Sequence, residues 1–98
     1  MKRDVARMNK QKKEMQRLRT SLAAVDEKIL RDLAKRFKLV KKIGKIKARS
    51  GMTALQKREW LKGESKRRKL SKRLLLSQEL ITKVYKLIHQ EAIRVQKS

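Results

Sequence analysis

Apolar residues recur every seven positions through the first half of the chain. Met1, Met8, Met15, Leu22 and Ile29 are followed in the same register by Arg36 and Ile43, with Leu18, Val25 and Val40 between them. Within this run Leu22, Val25, Ile29, Leu33, Arg36, Val40, Ile43 and Lys47 follow at steps of three or four, the spacing of one helix face. The pattern predicts a helix from about Val5 to Ala48. Ser50-Gly51 should stop it, since glycine is the preferred residue just past a helix end. Thr53-Ala54-Leu55-Gln56 then fits a capping box, so a second helix should begin near Ala54. Its apolar face is weak: Leu55, Trp60, Leu61 and Leu70 align poorly, and Gly63-Glu64-Ser65 reads as an interruption. Ser77, followed by Gln78 and Glu79, marks the start of a third helix with the stripe Leu80/Ile81, Val84, Leu87/Ile88 and Val95.

The expected fold is all-α, with three helices per chain: one long, one short, one medium. A helix of some 40 residues is about 60 Å long, more than two shorter partners can cover. Its stripe should continue against a second copy, giving an intertwined homodimeric helical bundle. A plain coiled-coil hairpin is the simpler reading of the heptads alone. We expect residues 1–14 to form a basic N-terminal extension, helical or frayed, and residues 15–98 to form the helical domain.

The apolar stripe of the first helix carries two cations. Eleven residues at about 100° each bring Lys47 back to within about 20° of Arg36, roughly 16 Å further along the axis. Burying such charges is costly unless an anion meets them. Either cation alone is more simply read as snorkelling from the edge of the stripe. Together they suggest a site for a small anion.

Composition narrows the choices. There are 98 residues, 39% of them hydrophobic, with no proline and three glycines, which is one small helical domain. No cysteine is present, so neither a disulfide nor a thiolate metal site is available. One histidine, His89, does not build a metal centre and reads as a surface or helix-packing residue; no metal or cofactor is expected. Without a membrane-length apolar run or a signal-type N-terminus, a soluble cytoplasmic protein is expected. The charge is extreme, with 31 Lys and Arg against 9 Asp and Glu, a formal +22. Non-specific nucleic-acid contact follows from such charge. Cations concentrate in residues 1–17 and 62–73, but Phe37, Trp60 and Tyr85 look too scattered for a base-stacking platform.

The run Leu18–Lys47, LRTSLAAVDEKILRDLAKRFKLVKKIGKIK, resembles the first helix of the all-helical class of chorismate mutases, in the short monofunctional form. The matching elements are Arg19, the Val25-Asp26-Glu27-Lys28-Ile29-Leu30 core, Leu33 to Arg36, and Gly44 to Lys47. Arg58-Glu59 matches the family's Arg-Glu pair, and Tyr85 to Gln96 resembles its closing helix with a glutamine. The similarity covers about residues 15–97.

That resemblance implies conversion of chorismate to prephenate, an isomerisation in aromatic amino acid biosynthesis. A [3,3]-sigmatropic rearrangement needs no nucleophile, metal or proton transfer. It calls for restraint of a flexible dianion and for stabilisation of an ether oxygen that gains charge as its C–O bond breaks. Even a low-end enzymatic acceleration needs about 8 kcal/mol of differential stabilisation. By resemblance, Arg19 and Arg36 clamp carboxylates, Lys47 and Gln96 meet the ether oxygen, Glu59 takes the ring hydroxyl, and Arg58 orders the substrate beside it. Taken singly, Arg19 and Arg58 are equally well surface cations, Glu59 a helix ion-pair partner and Gln96 a terminal residue.

Two further substrate-contact positions depart from the family pattern: Leu55 stands where an acidic residue is common, and Ala92 where a small hydroxyl residue is. Arg19 precedes Lys47 by 28 residues, about 42 Å of helix. If it acts together with Arg36 and Lys47, it must come from the partner subunit of an intertwined dimer. Two rivals remain open on the sequence. An isochorismate pyruvate lyase shares the resembling fold, although Glu59 argues against it; a dimeric, basic, helical nucleic-acid-binding protein would account for the charge.

Overall fold

A computed structural model describes residues 2–51 and 53–97, with backbone alone for 53–57. Its described residues form three helices, α1 (Lys2–Ser50), α2 (Thr53–Arg73) and α3 (Gln78–Lys97), and no strand. The first helix runs a few residues beyond the predicted bounds at both ends. It stops where the sequence indicates: Gly51 adopts φ 62° and its N–H donates to the Lys47 carbonyl at 2.9 Å. That is the left-handed cap for which glycine carries no side-chain penalty.

The second helix corrects one expectation. Gly63-Glu64-Ser65 does not interrupt it; α2 is continuous from Thr53 to Arg73. One glycine costs a helix about 1 kcal/mol, too little to break a segment with good formers on both sides. The capping-box side chains at Thr53 and Gln56 lie outside the described residues.

The turn after α2 satisfies the last carbonyls of the helix. Leu76 N–H donates to Ser71 O at 2.9 Å, and Leu75 N–H to Lys72 O at 3.1 Å, the paired bonds of a Schellman cap. Here the left-handed position is occupied by Leu75, at φ 58° and 92% exposed. A β-carbon in that conformation is strained by roughly 1–2 kcal/mol. The third helix starts as predicted, with Ser77 Oγ accepting the Leu80 N–H at 3.2 Å.

The chain divides into two compact units, Met1–Arg36 and Phe37–Ser98. The first is a stretch of α1 alone. Its Val5, Met8, Met15, Leu18, Leu22, Val25 and Ile29 side chains are each 48–61% exposed.

The second unit holds the end of α1 together with the α2–α3 hairpin. Ser71, one of its two buried residues among those described, ties the hairpin at its closed end. Its hydroxyl donates to Arg68 O and accepts from Gln78 Nε2, both at 2.9 Å. Further along, Trp60 stacks against His89 with ring centroids 4.1 Å apart, so the lone histidine is a helix-packing residue. No helix among the described residues is long and apolar enough to cross a membrane.

Candidate active site

Gln96 ties α3 to α1. Its Nε2 donates to the Val40 carbonyl at 3.3 Å. Beneath it lies Gly44: a β-carbon there would stand 3.0 Å from Gln96 Cγ and 3.4 Å from its Cδ. The glycine therefore has a steric reason inside a helix it otherwise weakens. It lets the glutamine lie on the α1 backbone.

Val40, Gly44 and Lys47 succeed one another at steps of four and three, so they share a face of α1. Lys47 is half-buried there. The geometry thus brings Gln96 onto the face that carries Lys47, through groups 56 residues apart in sequence. Ala92, one turn before Gln96, is the second buried residue. It offers a methyl group where the resembling pattern has a hydroxyl.

The other candidates are placed as follows. Arg36 belongs to the first unit; it is half-buried, and its Nη1 atom is buried. Arg19, in the same unit, is exposed. On α2, Arg58 and Glu59 are exposed, and the Glu59 carboxylate accepts from Lys62 Nζ at 3.5 Å, as a helix ion pair does. The Leu55 side chain lies outside the described residues. Close to Ala92, Glu91 pairs with Arg94, whose guanidinium Nε donates to its carboxylate at 2.9 Å. That hydrogen bond holds the Glu91 carboxyl below the usual carboxylate range and raises Arg94 in turn. Among the described residues, no group of three His, Cys, Asp or Glu side chains is placed to hold a metal.

One arrangement escaped the sequence reading. Trp60 and Tyr85, which look scattered along the chain, meet around Arg67, and His89 packs against Trp60. The guanidinium lies 5.1 Å from the Trp60 ring centroid and 4.6 Å from that of Tyr85. The signal was helical spacing, seven residues from Trp60 to Arg67 and four from Tyr85 to His89, which matters only once α2 and α3 are paired.

The family model for chorismate mutase type II matches residues 18–97. The chain belongs to that family. Chorismate mutases of type II are isomerases and all-helical, which agrees with the three helices described above. The matched segment contains every candidate residue from Arg19 to Gln96. No curated protein and no solved structure matches the chain.

Proposed function

We propose that this protein is a homodimeric chorismate mutase that rearranges chorismate to prephenate by restraint and electrostatic stabilisation. The observation that carries this reading is the seat of Gln96 on Gly44, one helical turn from Lys47. A primary carboxamide has two N–H donors. One goes to Val40 O, which fixes the nitrogen end of the amide; the other is available for the ether oxygen. Lys47 supplies a full positive charge to the same atom. As the C–O bond breaks and the new C–C bond forms, charge grows on that oxygen, and both donors gain strength without reorganising.

Restraint comes from the carboxylate clamps. Arg36 holds one carboxylate, and Arg19 of the partner subunit holds another with its planar donor fork. The exposed stripe from Val5 to Ile29 supports that second copy, because an apolar helix face of this length gains its stability from packing. Glu59 takes the ring hydroxyl, with Arg58 beside it. Releasing Glu59 from Lys62 costs little, since an exposed pair of this kind is worth under about 1 kcal/mol. Ala92 and Leu55 provide no polar contact, so substrate binding is weaker than the family pattern would give.

The test is chorismate turnover by the purified protein, followed through loss of substrate absorbance and appearance of prephenate, with isochorismate as a control that should yield no pyruvate. Lys47→Ala and Arg36→Ala should each lower kcat by about 10²–10³ or more while helicity and dimer mass persist. Absence of turnover in the parent protein, or full turnover in Lys47→Ala, would refute the reading.

A further inference from the structure

A single dianion does not account for a charge of +22. Seven of the cations fall within residues 62–73, and α2 arranges them in two groups. Lys62, Lys66, Lys69 and Arg73 follow at steps of four, three and four, a row along one face about 16 Å long. Arg67 and Lys72, with Arg68, line instead a cleft of about 650 Å³ between α2 and α3, whose α3 wall adds Lys86. Among its lining residues Glu64 is the one carboxylate, and it lies 3.7 Å from Arg68.

Arg67 is held in a set pose. It lies over the Trp60 and Tyr85 rings, and its Nη1 is 2.9 Å from where a Gly63 β-carbon would be, so the glycine leaves room for the guanidinium. A guanidinium carries five N–H donors and so can meet oxygen acceptors as well as the rings. The pocket therefore combines an aromatic wall with fixed and flexible cations, at a volume typical of a small-ligand site. None of its lining residues is among those assigned to chorismate.

We propose that the α2–α3 cleft, with the adjoining cationic row of α2, binds single-stranded nucleic acid. Arg67, Lys72 and Lys86 hold phosphates, and an unpaired base enters the cleft beside Trp60, Tyr85 and His89. A duplex keeps its bases paired inside and cannot offer one to a cleft. A membrane surface is a poorer fit, because α2 lacks the broad apolar face that an interfacial helix inserts.

Fluorescence anisotropy of a labelled single strand of about 16 nucleotides, and of the matching duplex, tests this across a salt series. The single strand should bind more tightly, with affinity falling steeply as salt rises. Lys72→Gln/Lys86→Gln should lower the slope of log affinity against log salt by about 1.4, at about 0.7 per lost phosphate contact. Lys12→Gln/Lys13→Gln removes the same charge from α1 and should change that slope far less. Gly63→Ala keeps every charge and favours the helix, yet displaces the Arg67 guanidinium; it should weaken binding several-fold with helicity intact. Equal losses from the α1 and cleft pairs, equal affinity for duplex, or undiminished binding by Gly63→Ala would each overturn the proposal.

Discussion

Replacing Gly44 by alanine should stabilise the fold slightly while slowing turnover, and the two effects have separate physical origins. In a helix interior alanine is favoured over glycine by about 0.8–1 kcal/mol. The new methyl would arrive 3.0 Å from Gln96 Cγ, tighter than ordinary contact, so the glutamine must move. It is free to do so, because its side chain is exposed and only Lys97 follows it in α3. The cost is the long 3.3 Å hydrogen bond to Val40 O, worth about 0.5 kcal/mol at the weak end of the usual range. The net gain of about 0.5 kcal/mol corresponds to roughly 2–4 °C in Tm.

Turnover should respond in the opposite sense. A donor displaced by about 1 Å from a developing oxyanion can cost up to about 10²-fold in rate. We expect kcat to fall about 10–100-fold with a smaller change in KM, the mark of an interaction made in the transition state. Thermal unfolding and steady-state chorismate kinetics read the two quantities independently. A double-mutant cycle then isolates the mechanism: in a Gln96→Ala background, Gly44→Ala should leave kcat almost unchanged. If kcat is unaltered in the single variant, or falls by the same factor without the glutamine, the seat of Gln96 on Gly44 is not what positions the reaction.

Three further outcomes are expected. Mixing inactive Arg19→Ala and Lys47→Ala subunits after unfolding and refolding should restore about a quarter of parental activity, because half the dimers pair unlike chains and regain one site; no recovery would place Arg19 outside the site. Leu75→Gly should raise stability by about 0.5–1 kcal/mol in thermal unfolding, since glycine relieves the left-handed strain at a small entropic cost. The depressed Glu91 carboxyl stabilises the fold above its unfolded-state pKa, and that contribution disappears as pH falls through the lower folded value. Glu91→Gln should therefore lose less stability than the parent between neutral and acidic pH, as read by Tm at each pH.

How much was legible in the sequence depends on whether the signal was local. Helix ends were: Gly51 and Ser77 act through their own backbone and side chain, within a few residues of where the pattern placed them. Gly63 was misread for a related reason, since its helix-weakening tendency is visible in sequence, whereas the Arg67 guanidinium lying over it is not. Gly44 shows the same limit from the other side. Sequence gave its spacing to Lys47, but only the packing of α3 shows why a side chain is excluded there.

The aromatic cluster is the clearest case. Trp60 lies 25 and 29 residues before Tyr85 and His89, on a different helix, and joins them only when the hairpin closes at Ser71 and Gln78. Pairing α2 with α3 turns three separate residues into one wall and places a cation against it. Long-range juxtaposition of this kind costs the chain loop-closure entropy, repaid by contacts that no local window contains. For this protein the consequence is specific. Arg36 and Lys47 draw notice in the sequence because they fall at helical spacings on one face of α1, whereas the cationic cleft emerges only from two helices folding against each other.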